Sequence, residues 1–279
     1  MSIPLNSEGV TNAVERIARR TPLLRAPELS DQLGRPVWLK AECLQVTGSF
    51  KVRGAAVRLS ALNDQERMRG VVSCSSGNHG RAVAYVAQKL GIPASVCVPE
   101  WVDPVKLEGI KRDGAEAVLV GSTFDEAESH AFELSERTGR TYISAYDDPW
   151  VIAGQGTIAL EILGQLGESP AAILSPLSGG GLLGGIASVF AERTGDERCR
   201  TVGVSAEKAA VMLASVKAGH PVELAEEKTL ASALAGGIGL NNQHSFKLIK
   251  DLVREHVTVT EEQISDAMRY CATALRLVV

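Results

Sequence analysis

An α/β fold built on two open, largely parallel, twisted sheets flanked by helices is what this chain predicts. Three observations lead there. Short β-rich runs alternate with helical patterns along nearly the whole length, as in strand–helix–strand units. Several of those runs are continuously apolar, as expected of strands covered by helices on both faces. Glycines stand where helices should hand over to strands, in Gly91-Ile92-Pro93 and in Lys111-Arg112-Asp113-Gly114-Ala115, near the expected C-cap positions.

The elements follow in order. The run Val37-Trp38-Leu39-Lys40-Ala41 is a strand, and the chain then passes through Thr47-Gly48 into a helix over 49–62. The strand at 71–73 leads to a helix over 78–90, and the strand at 94–98 to a helix over 104–112. Strands at 117–120 and 142–144 are followed by helices over 125–138 and 153–166. The apolar strand at 172–176 runs into a glycine-rich loop and a helix over 182–191. A strand at 201–205, a helix over 243–253 and a strand at 257–259 complete the series. Residues 53–148 hold four strand–helix units and are expected to close as a small domain. The large domain would then be assembled from 1–52 and 149–279. Neither an internal repeat nor a low-complexity linker is visible.

The bulk composition narrows the function. With 279 residues, 45% hydrophobic and 22% charged, the chain can bury a large core in one or two domains. Its net charge of -4 argues against nucleic acid or an anionic membrane as the main partner. No apolar run reaches the roughly 18 residues that would suggest a bilayer-spanning helix. The N-terminus, Met1-Ser2-Ile3-Pro4-Leu5, lacks a charged start followed by an apolar stretch, so a cytoplasmic protein is expected. Cys43, Cys74, Cys97, Cys199 and Cys271 are odd in number and widely spaced, with no C-x-x-C pair. Neither a disulfide framework nor a zinc site is expected.

Three motifs carry chemistry, each placed after a strand. In the first, Thr47-Gly48-Ser49-Phe50-Lys51-Val52-Arg53-Gly54-Ala55, Lys51 sits at a helix start. Peptide dipoles there disfavour a further positive charge, and desolvation beside Phe50 pushes the amine toward its neutral, nucleophilic form. A lysine on an exposed turn is the bland alternative, and the other two motifs weigh against it. The second is Ser75-Ser76-Gly77-Asn78-His79-Gly80 at the start of the next helix, where outward N–H groups and the dipole favour a carboxylate or phosphate. Ordinary N-capping needs only one such residue. A histidine in such a turn can be a base, but more often orients its neighbours through hydrogen bonds.

The third motif is Ser178-Gly179-Gly180-Gly181-Leu182-Leu183-Gly184-Gly185. Its glycines let several N–H donors converge on an anion, whereas a tight turn alone would need one or two. Gly179-x-Gly181-x-x-Gly184 also matches the dinucleotide fingerprint, with Glu207 near the place of a ribose-binding acid. A NAD-dependent dehydrogenase is therefore a rival, although it leaves Lys51 and the 75–80 loop unexplained. A nucleoside-triphosphate loop fails because no Lys-Ser or Lys-Thr follows the glycines. An aldehyde cofactor bearing a phosphate fits all three motifs: pyridoxal 5'-phosphate, held as a Schiff base to process an amino acid.

At these residues the chain resembles the serine/threonine dehydratase and serine racemase family, pyridoxal-phosphate enzymes of the tryptophan-synthase β-subunit fold. A fourth string, Val151-Ile152-Ala153-Gly154-Gln155-Gly156-Thr157, also matches, and the likeness runs from about Thr21 to the last residue. The resemblance implies that Lys51 carries the cofactor as an imine, that Phe50 packs against its ring and that Asn78 bonds its phenolic oxygen. It implies phosphate binding by the N–H groups of Ser178, Gly179, Gly180, Gly181 and Leu182. Ser75, Ser76 and His79 would face the substrate carboxylate, and in racemising members the serine at Ser76 is the acid/base opposite the lysine. The activity implied is loss of water from a β-hydroxy amino acid of the L-threonine or L-serine type, giving a 2-oxo acid and ammonia. A racemase, or a dehydratase of a hydroxyectoine-derived compound, are near alternatives; a non-catalytic amino-acid sensor lies further off. A homodimer is expected from family precedent.

The chain departs from the family pattern in three places. Ser178 stands where members usually have glycine, which leaves the backbone donors intact. After Glu207, Val211, Met212 and Leu213 occupy the stretch where cation-binding members place a second acid, so no metal site is expected. The chain stops at Leu277-Val278-Val279, in what reads as an apolar-periodic helix, short of the family's Ser-Gly-Gly-Asn-like turn. The large domain is thus expected to be truncated.

Overall fold

The computed structural model describes residues 3–5, 8–75, 77–194 and 199–279. The chain opens with helix α1 (Glu8–Ile17), strand β1 (Leu23–Arg25), helix α2 (Pro27–Leu33) and strand β2 (Trp38–Lys40). β1 and β2 pair antiparallel, Leu24 opposite Leu39, in a small sheet of their own. Two further helices, α3 (Lys51–Ser60) and α4 (Asp64–Arg69), lead to the main sheets. Asn63 caps α4 in a reciprocal capping box with Glu66.

Strands β3 (Val71–Cys74), β4 (Ala94–Val98), β5 (Glu116–Leu119) and β6 (Thr141–Tyr142) form a parallel sheet in the order β5-β4-β3-β6. The connecting helices are α5 (Asn78–Leu90), α6 (Pro104–Arg112) and α7 (Phe124–Thr138). Every residue of β3 and β4 is buried, which explains their largely apolar character. The two exceptions are satisfied, Ser73 Oγ donating to the carbonyl oxygen of Ile143 at 3.0 Å and Ser95 Oγ to Glu116 at 2.7 Å. Gly91, at φ 66°, closes α5 in the left-handed conformation that favours glycine. Helix α8 (Pro149–Leu166) then leads to a second parallel sheet of β7 (Ala172–Pro176), β8 (Arg200–Ala206) and β9 (Glu255–Val259). Helices α9 (Gly181–Thr194), α10 (Val211–Ala218) and α11 (Ser245–Leu252) lie between these strands, and α12 (Glu261–Thr273) follows them.

Most expected elements appear within a few residues of their expected bounds, and the differences have local causes. Helix α8 starts at Pro149 rather than 153, because Asp148 caps it: its Oδ1 accepts from the N–H groups of Trp150 at 2.8 Å and Val151 at 3.0 Å. Helix α3 begins at Lys51, two residues later than expected. The last residues are not helical: α12 ends at Thr273, and Arg276, at φ 55°, turns the chain away. No helix among the described residues is long and apolar enough to cross a membrane.

Two close helix contacts fix the middle of the molecule. A Cβ on Gly154 of α8 would meet the carbonyl oxygen of Arg53 at 2.5 Å and Cα of Gly54, in α3, at 2.7 Å. On the same helix, Gly156 faces α9, where a Cβ on Gly185 would meet the carbonyl oxygen of Ile152 at 2.3 Å. Backbone therefore packs against backbone at both crossings, and no side chain larger than hydrogen fits. The start of α3, bearing Lys51, and the start of α9, bearing the glycine loop, are both referenced to α8.

Beneath α3 lies a buried ionic network. The Arg53 guanidinium, fully buried, donates to both oxygens of Glu42 at 2.8 Å each and to those of Glu161 at 2.7 and 3.0 Å. Lys40 donates to Glu161 at 2.5 Å and to the carbonyl oxygen of Thr21 at 2.7 Å. Burial pushes the Glu161 carboxyl up, but hydrogen bonds and charge from Arg53 and Lys40 outweigh it and hold the group below its ordinary range.

Candidate active site

Lys51 is the first residue of α3, with Phe50 as the N-cap. Its amine donates to the carbonyl oxygen of Ala145 at 2.6 Å and lies 5.3 Å from the centre of the Phe50 ring. Burial lowers its pKa to about 8. A lysine near neutrality is a usable nucleophile and base. Close by in sequence, the buried hydroxyls of Thr47 and Ser49 have no hydrogen-bond partner among the described residues. Buried polar groups are ordinarily bonded, so these two mark a place built for something further.

The second motif surrounds the start of α5. Ser76 lies outside the described residues. Gly77 is the N-cap and no side chain caps the helix; Ser75 instead accepts the N–H of Gly77 on its Oγ at 3.2 Å. Ser75 and Asn78 are thus not explained by ordinary capping. Asn78 is exposed, whereas His79 is buried and its Nε2 donates to the carbonyl oxygen of Ile143 at 3.0 Å. A carbonyl can only accept, so Nε2 carries the proton and Nδ1 is left as an acceptor. Burial, and then the charge of Lys51, push the His79 pKa down to about 3. Its ring is neutral and orients the loop against the end of β6. At Gly80 a Cβ would meet the carbonyl oxygen of Ser75 at 2.2 Å, so the loop closes tightly on itself.

The third motif joins β7 to α9. Gly180 has φ 83°, and Gly181 opens the helix, whose first N–H groups have no intrahelical partner by construction. Tyr146 lies across this loop. A Cβ on Gly179 would meet its ring at 2.4 Å, and one on Gly181 its carbonyl oxygen at 2.6 Å. From below, a Cβ on Gly180 would meet Met212 Cε at 2.8 Å and Ile249 Cγ1 at 3.0 Å. Backbone donors exposed at a helix start, on a loop that tolerates no side chain at 179–181, form an anion cradle. Ser178 and Leu182 flank it, both partly buried.

Sequence reasoning missed the segment 143–148, which ties the three motifs together. Ile143 accepts from His79, Ala145 accepts from Lys51, and Tyr146 covers the glycines. Ser144 Oγ accepts from the N–H of Asp147 at 3.0 Å, and Asp148 both caps α8 and pairs with Arg58 at 2.8 Å. Only Asp148-Pro149, a cap followed by proline at a first helical turn, signals this in the sequence.

A buried amine near neutrality, unpartnered buried hydroxyls two and four residues before it and an anion cradle made of backbone fit an aldehyde cofactor with a phosphate. The strand–turn–helix at β7 and α9 would also suit a dinucleotide, with Glu207 exposed after β8. The comparison with known proteins decides between them. The chain belongs to the family of pyridoxal-phosphate dependent enzymes, whose model matches residues 14–279. Its fold is therefore the tryptophan-synthase β-like fold of these enzymes, and its cofactor is pyridoxal phosphate. The dehydrogenase reading is set aside.

Particular relatives narrow the comparison. The chain is 37% identical to the L-threonine ammonia-lyase of Thermotoga maritima, over 95% of this chain and 65% of that protein. Among solved structures it is similar to maize serine racemase, with TM-score 0.90 and 31% identity over 100% of this chain and 82% of that one. It is likewise similar to the processed form of threonine deaminase isoform 2 from Solanum lycopersicum, with TM-score 0.90 and 34% identity over 100% and 82%. The chain thus spans about two thirds of the Thermotoga protein's length. No group of three metal-binding side chains occurs among the described residues.

Proposed function

We propose that this chain carries the catalytic centre of a pyridoxal-phosphate dependent ammonia-lyase that removes water from a β-hydroxy amino acid of the L-threonine or L-serine type, releasing a 2-oxo acid and ammonia. The observation that carries this reading is the buried Lys51 amine, bonded to Ala145 in the same short segment whose Ile143 accepts from His79 and whose Tyr146 covers the glycines of the cradle. The relatives named as threonine ammonia-lyases supply the reaction.

In this reading Lys51 would hold the cofactor aldehyde, the N–H groups of Ser178, Gly179, Gly180, Gly181 and Leu182 would hold its phosphate, Phe50 would pack against its ring and Asn78 would bond its phenolic oxygen. When bound, the cofactor supplies an electron sink for charge developing at the substrate α-carbon. Lys51 Nζ would be the base that takes the α-proton, a role suited to an amine with a pKa of about 8. Ser75, Ser76 and the first turn of α5 receive the substrate carboxylate on N–H and hydroxyl donors. Neutral His79, tied to Ile143, holds that turn in place. The division into a small domain at 53–148 and a large one at 1–52 and 149–279, a homodimer and a cytoplasmic setting belong to the same reading. The division is supported by β3 to β6 forming a sheet of their own.

The test is reduction of the native, coloured protein with borohydride, followed by peptide mapping and a panel of L- and D-hydroxy amino acids. Labelling at Lys51 with 2-oxo acid release from L-threonine or L-serine is expected. Inversion without release would make the protein a racemase, a reading favoured by its likeness to maize serine racemase. Release only from a hydroxyectoine-derived compound would reassign the substrate.

A further inference from the structure

The Asp147 carboxylate reaches three consecutive backbone N–H groups far along the chain: Gln243 at 2.7 Å, His244 at 2.8 Å and Ser245 at 2.8 Å. These are donors at the start of α11, whose own N-cap, His244, offers no side-chain acceptor. A carboxylate at that end of a helix is favoured by the dipole, and its bonds to N–H are charge-assisted. Helix α11 in turn backs the anion cradle. A Cβ on Gly180 would meet Ile249 Cγ1 at 3.0 Å and Ser245 Cβ at 3.3 Å, both in this helix.

On its other side, Asp147 follows Tyr146, which covers Gly179 and Gly181, and stands two residues after Ala145, the acceptor of the Lys51 amine. One carboxylate therefore fastens the segment that holds the lysine to the helix that supports the phosphate loop. Three N–H donors satisfy most of its accepting capacity, so it has little left for a ligand.

We propose that Asp147 is a positioning residue for the phosphate end of the cofactor. It locks α11 under Gly180 and so sets the spacing of the N–H donors at 178–182, while the reactivity of Lys51 stays independent of it. The inference rests on the pyridoxal-phosphate reading of the site.

Cofactor-free wild type and Asp147→Asn are titrated with pyridoxal phosphate and with pyridoxal, which has the same aldehyde but no phosphate. Imine absorbance reads both dissociation constants. Loss of a charge-assisted bond of about 1.5–3 kcal/mol predicts weakening for the phosphorylated cofactor of about tenfold or more. Pyridoxal binding should change by less than about twofold on the same scale. Equal weakening of both, or of neither, overturns the proposal. Asn242→Ala is the control: its Oδ1 accepts the N–H of Phe246 at 2.9 Å and its Nδ2 donates to Ser245 Oγ at 2.8 Å, so it orders the same helix start from within α11 and its own turn rather than from the 145–147 segment. The same selective loss in that variant would trace the effect to helix order and sink the link to Asp147.

If Asp147→Asn does not fold, hydrogen exchange on the wild type answers the question. The amides of Gln243, His244 and Ser245 should be further protected by pyridoxal phosphate and not by pyridoxal. Unchanged protection overturns the proposal. A wild type that forms an imine with neither aldehyde refutes the cofactor site itself, a different outcome from equal constants in wild type and variant.

Discussion

The amine of Lys51 donates to the carbonyl oxygen of Ala145, 94 residues further on, at 2.6 Å. That single bond holds a cation in a buried place, and burial brings its pKa from 10.5 to about 8. Below about pH 8 the amine is protonated in folded and unfolded chains alike, and the cost of burying it is fully present. Between pH 8 and 10.5 the unfolded chain binds more protons, so stability rises with pH; above 10.5 the cost is gone. Cofactor-free Lys51→Met should therefore gain stability over wild type at neutral pH, with the gain shrinking across that window. Urea unfolding at several pH values measures it, and a gain that does not vary with pH would refute the lowered pKa.

His79 makes the opposite end of the pH range informative. Its pKa falls from 6.5 to about 3 through burial and the nearby Lys51 charge. The unfolded chain binds the extra proton between those values, so stability is lost as pH falls from 6.5 toward 3. His79→Gln, which keeps a donor for the Ile143 carbonyl but cannot titrate, should flatten the acid limb of the stability curve. His79→Ala leaves that carbonyl with only Ser73 Oγ, at 3.0 Å, as a donor and should cost about 0.5–1.5 kcal/mol at neutral pH for the lost bond. Chemical denaturation from pH 4 to 7 separates the two variants.

Arg53 is fully buried between Glu42 and Glu161. Arg53→Met removes the charge that compensates them and leaves Lys40 alone against two carboxylates. Breaking a buried pair from one side costs about 3–5 kcal/mol. A loss of that size in denaturant unfolding is expected, and a change below about 1 kcal/mol would show that the network is as weak as an exposed one.

Tyr146 and Gly179 form a steric pair that can be tested from both sides. Gly179→Ala drives a methyl into the tyrosine ring and should weaken binding of the phosphorylated cofactor. Tyr146→Ala opens that space, so the double variant should recover part of the loss. Contacting residues of this kind show coupling of about 0.5–3 kcal/mol in a double-mutant cycle. Strict additivity would mean that the ring does not shape the cradle.

The sequence was most legible where the signal was local. Helix α5 over 78–90, helix α6 over 104–112 and the strands at 94–98 and 172–176 were read to the residue, because apolar runs end at glycine or proline. Strand β1 was not read: three residues give no usable period, and its antiparallel partner β2 is the only evidence for it. The short or amphipathic helices α1, α2, α4 and α10 were likewise not separated from loop, and the last helix was expected to run to the final residue whereas α12 ends at Thr273. In the candidate site, Lys51, the 75–80 loop and the glycine loop announced themselves by composition. Ala145, Tyr146 and Asp147 did not, since the partners that give them meaning lie 94 residues upstream of Ala145, more than thirty downstream of Tyr146 and nearly a hundred downstream of Asp147. Contacts at that separation leave no trace in a window of sequence.

Exchanging glycine for alanine inside helices is a routine way to toughen a protein, contributing about 0.4–1 kcal/mol where the native conformation allows it. Here that route is closed along the central spine, because Gly54, Gly154 and Gly185 each confront another helix's backbone at under 3 Å from any added carbon. An engineer seeking a hardier catalyst would have to leave these crossings alone and work on the periphery. The feature that aligns the lysine with the phosphate loop also sets a limit on how far the molecule can be improved by ordinary means.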